Sequence, residues 1–236
     1  MHIEEVGSGP RVVLVHGSVA NGAMSWGEQR ALANRYRIVI VNRPGYPPNA
    51  PVERIDFEEQ AGEIGALLEP GDHLVGHSYG GVISLLAAAR ARNMGSLTVV
   101  EPPAFGVARG HPAVEEFLDR FPDAPRDPRG YLEFFLPLVG SAMKLPEALP
   151  ADLEAGTHAA LVERPPHEAE IPLEELVEAG FPVLVVSGGH NAALDAVCDV
   201  LEERLGAERA VVSGAGHSIP RARGFNERLD AFLRAV

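Results

Sequence analysis

The serine best placed for covalent chemistry in this chain lies between two glycines. Ser78 is the centre of Gly76-His77-Ser78-Tyr79-Gly80, after one apolar run and before another. The spacing G-x-S-x-G is typical of a sharp turn from a strand into a helix, which exposes the serine hydroxyl at the carboxyl edge of a sheet. N–H groups at the start of the helix that follows favour negative charge developing there. The alternative is a glycine-rich turn with an idle serine, in a chain that has 25 glycines.

The composition argues against several classes of function. The formal net charge of −13 opposes binding to nucleic-acid phosphates or to an anionic membrane surface. The nine histidines are scattered and Cys198 is the single cysteine, so the sequence shows neither metal-ligand spacing nor a disulfide. It also shows no phosphate-binding glycine loop, no membrane-spanning run and no signal segment. We expect a cytoplasmic protein with no cofactor, metal, nucleic-acid or membrane partner, in which Cys198 is a buried structural thiol.

Strand-length apolar runs alternate with helical patterns along the chain. A short strand pattern starts the chain at residues 3–6. Apolar runs predict further strands, the longer ones covered on both faces, at residues 11–16, 37–41, 74–77, 96–101, 181–187 and 210–212. Helical patterns lie between them, at residues 25–34, 56–69, 80–92, 192–205 and 224–235. This alternation predicts an α/β fold with a doubly wound, mostly parallel sheet.

Residues 103–180 interrupt the alternation. They contain no strand-like run, and short helical patterns occupy residues 112–121, 129–139, 151–162 and 173–179. A block of this length is too long for an ordinary connection between strands. We therefore expect a helical cap over the carboxyl edge of the sheet, where such folds place their sites. Residues 1–102 and 181–236 would then form the core.

Three motifs together resemble the α/β-hydrolase fold superfamily over essentially the whole chain. They are the run VVLVHG at residues 12–17, the Ser78 elbow, and the loop Gly-Ala-Gly-His that ends at His217. The resemblance implies that Ser78 is a nucleophile and that His217 is the general base, because serine needs an adjacent imidazole to remove its proton. It also implies that the cap is inserted after the family's sixth strand.

The same resemblance implies where an oxyanion hole would lie. By position, the two backbone N–H donors belong to Ser18, just after the His-Gly pair, and to Tyr79, just after the nucleophile. The N–H of Val19 is the alternative to that of Ser18 as the first donor. One such donor is worth roughly 10²–10³ in rate.

The acid that would orient His217 has two candidates. The family's usual position, in the loop after the seventh strand, holds His190 and Asn191, and Asp195 follows in the first turn of a predicted helix. The other candidate is Glu101, at the tip of the sixth strand, where some lactonases and dehalogenases of this fold carry the acid. Two prolines after Glu101 stiffen the backbone there. We favour Glu101 and keep Asp195 open.

The resemblance to serine esterases and lactonases implies cleavage of a carboxylic ester or lactone through an acyl-enzyme. The expected substrate is a small molecule that is largely apolar, because the cap carries many bulky apolar residues, namely Phe105, Phe117, Phe121, Tyr131, Phe134, Phe135, Leu136, Leu138 and Met143. The enzymatic alternatives are a thioesterase, a C–C hydrolase, and a lyase or cyclase that uses the same pocket. The alternative from another class is a small-molecule binding protein without turnover. Self-association into a homodimer is also left open.

Overall fold

One mixed sheet forms the centre of the molecule. The computed structural model describes residues 1–91 and 93–236, apart from the side chain of Pro122. Within these residues the strands are β1 (His2–Val6), β2 (Arg11–Val15), β3 (Arg37–Asn42), β4 (His73–His77), β5 (Ser96–Val100), β6 (Val183–Ser187) and β7 (Glu208–Val211). They form a sheet in the order β1-β3-β2-β4-β5-β6-β7. β1 is antiparallel to β3 and the other neighbours are parallel, so the predicted α/β fold is confirmed.

Helices connect the strands on both faces of the sheet. Within the described residues the α-helices are α1 (Gly22–Trp26), α2 (Phe57–Leu67), α3 (Tyr79–Arg90), α4 (Pro112–Asp119), α5 (Pro128–Leu138), α6 (Ala151–Leu161), α7 (Leu173–Ala179), α8 (Ala192–Leu205) and α9 (Phe225–Leu233). The first predicted helix divides into α1 and a 3₁₀ helix, Gly27–Asn34. The predicted end of α3 near Arg92 lies outside the described residues.

The continuous apolar runs are explained by burial of both faces of the sheet. Side chains alternate between the two faces of a strand. In β2, Val13 and Val15 pack into the cluster that also contains side chains of α2, α3 and α8. Val12 and Leu14 pack into a second cluster with side chains of α9. All five residues of β2 are therefore buried, and so is Cys198 in α8.

The block between β5 and β6 folds into four α-helices and short 3₁₀ helices within the described residues. In this chain the strand before the block, the family's sixth, is the fifth. α5 and α6 pack on each other through Leu132, Leu136 and Leu153, and Val19 from the core reaches into their cluster. α7 packs instead against α3 and α8. The domain boundaries near residues 102 and 180 stay a prediction.

Four loops from different strands meet at the carboxyl edge of the sheet. They follow β2, β4, β5 and β7, and they carry Ser18, Ser78, Glu101 and His217 respectively. In a parallel sheet the strands end on the same side, so residues far apart in the sequence are brought together. Among the described residues, no helix is both long and apolar enough to cross a membrane.

Candidate active site

Ser78 lies on a strained turn between β4 and α3. Its backbone has φ 53° and ψ −127°, a conformation that costs a non-glycine residue roughly 1–3 kcal/mol. The flanking glycines make the turn sterically feasible. A Cβ on Gly76 would lie 2.5 Å from the carbonyl oxygen of Gly80, and one on Gly80 would lie 2.3 Å from the carbonyl oxygen of His16. The G-x-S-x-G pattern therefore matches a close approach of backbone on both sides of the serine.

His217 connects Ser78 to Glu101. Its Nε2 is 3.0 Å from Ser78 Oγ, and its Nδ1 is 2.7 Å from Glu101 Oε2. A carboxylate can only accept a hydrogen bond, so the ring proton lies on Nδ1 and Nε2 is free to accept from the serine hydroxyl. The three side chains that we predicted from sequence are thus joined in one hydrogen-bonded chain.

The structure fixes Glu101 firmly at the tip of β5. The residue is fully buried, and its Oε1 accepts a hydrogen bond of 2.7 Å from the N–H of Gly188. Its own N–H donates to the Val186 carbonyl, and its φ is 43°. A left-handed backbone at a glutamate is uncommon and marks a position that its surroundings determine.

Asp195, the other candidate acid, lies away from His217. It is in the first turn of α8, and its carboxylate is 3.6 Å from the guanidinium of Arg209. Asn191 is the N-cap of α8 and accepts from the N–H groups of two helix residues. His190, in the family's usual acid position, has its Nδ1 3.4 Å from Glu101 Oε1 and its Nε2 2.9 Å from the Val139 carbonyl.

Two further histidines of the motifs organise backbone. His77 Nε2 donates to the His217 carbonyl at 2.9 Å. Removal from water, with the nearby His217 ring, lowers the pKa of His77 to about 3, so this ring is neutral. His16 Nε2 accepts from the Arg43 N–H at 3.0 Å, and burial with the nearby Arg43 charge holds the pKa of His16 well below its usual range. These contacts indicate that both rings organise the loops around Ser78.

The two predicted oxyanion donors lie beside Ser78. A Cβ on Gly17 would lie 2.7 Å from Ser78 Cβ, so the loop that carries Ser18 packs directly on the serine. Tyr79 is the first residue of α3, where an N–H has no intrahelical acceptor. Among the described backbone hydrogen bonds, neither the N–H of Ser18 nor that of Tyr79 is a donor.

A buried polar cluster beside this loop was missed from the sequence. Glu163 accepts hydrogen bonds from the Ser18 hydroxyl, from the Arg43 guanidinium, and from the Tyr46 hydroxyl at 2.7 Å. Burial raises the pKa of Glu163, and the Arg43 charge opposes this shift. The Arg43 guanidinium lies 4.5 Å from the Tyr46 ring centre and 4.8 Å from that of Tyr79. An arginine directly after a buried strand was the available signal, and nothing local marked Glu163.

Two cavities meet beside His217. The larger, of about 580 Å³, is lined by Ser78 and Tyr79 and by five of the predicted cap residues, Phe105, Phe117, Phe121, Tyr131 and Phe135. The smaller, of about 70 Å³, is lined among others by Met24, Leu136 and Met143. Ser18, Phe135, Val139 and His217 line both. Phe134 and Leu138 line neither of these two cavities.

No group of three or more histidine, cysteine, aspartate or glutamate side chains is placed to hold a metal ion in the part of the chain that the structure describes. Ser78 Oγ is instead hydrogen-bonded to His217, which is hydrogen-bonded to Glu101.

Comparison with known proteins identifies the family. Residues 12–230 match the model of the alpha/beta hydrolase family, which spans most of the chain and all the site residues named above. The chain belongs to the α/β hydrolase family. This α/β hydrolase is 37% identical over 107 residues to a pimeloyl-[acyl-carrier protein] methyl ester esterase of Aeromonas hydrophila, which covers 44% of the chain. The match spans only 42% of the length of that relative.

Other relatives are similar over their whole length. A protein with the same name from Xanthomonas axonopodis pv. citri is 29% identical over 262 residues, and the match covers 100% of both chains. Among solved structures, an esterase from Exiguobacterium antarcticum superposes with a TM-score of 0.73 at 23% identity, over 99% of this chain and 95% of the other. At that identity the likeness supports the fold of this α/β hydrolase.

Proposed function

We propose that this α/β hydrolase cleaves carboxylic esters through an acyl-enzyme on Ser78. The observation that carries the proposal is the chain of hydrogen bonds from Ser78 Oγ to His217 Nε2, 3.0 Å, and from His217 Nδ1 to Glu101 Oε2, 2.7 Å. Ser78 Oγ attacks the ester carbonyl carbon while its proton passes to Nε2. The tetrahedral intermediate collapses, the alcohol leaves with that proton, and water then releases the acid by the same steps in reverse order.

Two backbone groups are proposed to stabilise the oxyanion of the intermediate. They are the N–H groups of Ser18 and Tyr79, which have no acceptor among the described backbone hydrogen bonds. Glu101 is proposed to hold the His217 ring in the required tautomer and to stabilise the imidazolium that forms during attack.

The two cavities support a division of the substrate. The cavity of about 580 Å³ is lined by aromatic side chains and also by charged ones, among them Arg109, Glu115 and Arg126, and it has room for a long or branched acyl group. The cavity of about 70 Å³ has room for roughly two water molecules, and hence for a methyl or ethyl alcohol group. His217 borders both cavities, and the leaving alcohol must take its proton from this ring. We therefore propose esters of a large apolar acid with a small alcohol, which agrees with the methyl ester in the names of the relatives.

A panel of esters with one acid and different alcohols tests this function. Released acid is followed at constant pH for the methyl, ethyl and butyl esters of octanoic acid, and for δ-decalactone as the cyclic case. We expect kcat/KM to fall by roughly tenfold or more from methyl to butyl, the scale of apolar pocket selectivity. A butyl ester that reacts as fast as the methyl ester would contradict the assignment of the small cavity.

A fluorophosphonate probe tests the nucleophile directly, with Ser78→Ala as the control. The wild-type protein should be labelled and the variant should not, while thermal melts of the two coincide. A wild-type protein that shows neither labelling nor turnover on any ester would instead be a binding protein of hydrolase fold.

A further inference from the structure

The loop after β2 contains a strained turn that local sequence does not favour. Val19 has φ 72°, and the N–H of Ala20 donates to the carbonyl of Ser18 at 2.8 Å. This is a three-residue γ-turn of the rare, strained hand. A β-branched residue at positive φ is a backbone outlier, and such a conformation persists only where surrounding structure imposes it. The same turn carries Ser18, whose N–H is the proposed oxyanion donor.

One restraint on the turn comes from Glu163, just beyond the end of α6. Its Oε2 accepts from the Ser18 hydroxyl, while its Oε1 accepts from Arg43 and Tyr46, which follow β3. Arg43 is itself 1% exposed and lies between two aromatic rings. The carboxylate is thus held on one side by the core, and its other oxygen fixes the side chain of Ser18.

A second restraint is the close approach of α6 to the turn. A Cβ on Gly156 would lie 1.9 Å from the carbonyl oxygen of Val19, so only glycine permits this contact. The Val19 side chain is 3% exposed and packs among Leu132 and Leu153 of the cap helices. The backbone of α6 and the packing of apolar side chains therefore both restrain Val19.

The segment that carries Glu163 is tied to the core by backbone hydrogen bonds. The N–H of Ile55 donates to the Val162 carbonyl at 2.9 Å, and the N–H of Arg164 donates to the Ile55 carbonyl at 2.8 Å. The Tyr79 hydroxyl donates to the Arg164 carbonyl at 2.9 Å. The side chains of Ser18 and Tyr79, the two residues proposed to supply the oxyanion hole, are thus hydrogen-bonded to adjacent residues of one segment, Glu163 and Arg164.

We propose that Glu163 is a positioning residue that holds the Val19 turn, and with it the Ser18 N–H, in place for the oxyanion. This inference rests on the proposed ester hydrolysis at Ser78. Gly156 contributes to the same positioning, because its lack of a side chain lets α6 contact the turn. The cap then has two roles: it walls the substrate cavity and it shapes the reaction centre.

A double-mutant cycle between Glu163→Gln and Ser18→Ala tests the proposal. Each variant is measured for kcat and KM on methyl octanoate and for inhibition by n-butylboronic acid, which adds to Ser78 Oγ and leaves a boron-bound oxygen in the hole. We expect each change to lower kcat by roughly 10–100-fold, less than the roughly 10²–10³ for complete loss of a donor, and to weaken the boronic acid similarly with KM little changed. If Glu163 acts through Ser18, the double variant is no slower than Glu163→Gln alone.

Gly156→Ala provides an independent test with a matched control. Its added methyl must displace the Val19 carbonyl, and we expect the same loss of kcat and of boronic acid affinity. Gly62→Ala in α2 adds a methyl where no atom outside the adjacent backbone of its own helix lies within 4 Å, so it should keep wild-type values.

Several outcomes would overturn the positioning role. They are unchanged kcat in Ser18→Ala or Gly156→Ala, losses that multiply in the double variant, or a loss confined to KM. Should Glu163→Gln fail to fold, because it leaves the buried Arg43 charge uncompensated, Ser18→Ala and Gly156→Ala decide the question. A wild-type protein without ester turnover would defeat the proposed function instead.

Discussion

The two sides of Ser78 differ in how far the inserted block takes part in holding them. On one side, Glu101 and His217 follow β5 and β7, and the N–H of Gly188, just after β6, donates to Glu101. These groups follow strands of the sheet, and the inserted block contributes a backbone contact, from the N–H of His217 to the Gly140 carbonyl at 3.3 Å. On the other side, the Ser18 loop is contacted by Gly156 in α6 and by Glu163 just after α6, both in the inserted block.

The two sides differ in the sequence separation of the residues that determine their conformation. On the acid–base side Glu101 directly follows β5 and His217 comes six positions after β7, so the sheet brings the two side chains to the same edge. On the oxyanion side the loop follows its strand as closely, but its conformation depends on residues about 140 positions further along the chain. We therefore expect the two sides to respond differently to substitution.

The largest effect is expected for Glu101→Gln on the acid–base side. The amide keeps the size of the side chain but removes its charge, and its NH₂ group can face His217 Nδ1 and favour the wrong tautomer. By analogy with other triads, we expect kcat to fall on the order of 10⁴ with little change in KM. Steady-state kinetics on methyl octanoate, with thermal melts to confirm folding, measure this.

Glu101→Asp sharpens the same test. Its carboxylate is one methylene shorter and keeps the charge, so it should recover part of the lost rate. Near wild-type turnover of Glu101→Gln would show that the acid–base side does not depend on this carboxylate.

A smaller effect is expected from the cap wall at Phe135. This ring lines both cavities, and its removal joins the space for the acyl group to the space for the alcohol. We expect Phe135→Ala to reduce the preference for methyl over butyl ester by roughly 10–200-fold, the range for apolar pocket changes. The ratio of kcat/KM for the two esters measures this preference.

Phe134→Ala is the matched control. Phe134 lines neither cavity and packs against Phe121, with ring centres 6.4 Å apart. It should leave the ratio unchanged even if it lowers stability. An equal loss on all esters in Phe135→Ala would mark this ring as structural.

The sequence predicted one side of Ser78 better than the other, for a physical reason. The sheet follows from strand-length apolar runs, and Ser78 and His217 follow from motifs. Glu101 was favoured over Asp195 from its place at the tip of a strand. The turn at Val19 could not be predicted, since a valine at that position favours an extended backbone. The ion pair of Glu163 with Arg43 joins residues 120 positions apart, and only the folded chain brings them together.

The inserted block was predicted in its helices but not in its packing. α4, α5, α6 and α7 each begin and end within two residues of the expected positions. The periodicity of a short helix shows that it has an apolar face but does not show its partner. That α7 packs on α3 and α8, whereas α5 and α6 pack on each other around Val19, therefore had to come from the structure.

The smallest effect is expected for Asp195→Asn, which tests the comparison from the other direction. Asp195 is one of three carboxylates near Arg209, with those of Asp199 at 3.5 Å and Glu202 at 3.6 Å. Its removal leaves the other two in place and loses a favourable charge in the first turn of α8, worth about 0.3–1 kcal/mol of unfolding free energy. We expect kcat to stay within about twofold of wild type, since this charge lies outside the triad, and denaturant unfolding to show the small loss. Asp199→Asn, further along the same helix and facing the same arginine, should cost still less. If Asp195→Asn loses its activity while Glu101→Gln stays active, Asp195 is the acid of the triad and the assignment of Glu101 is wrong. The acid–base side would then no longer be the locally determined one.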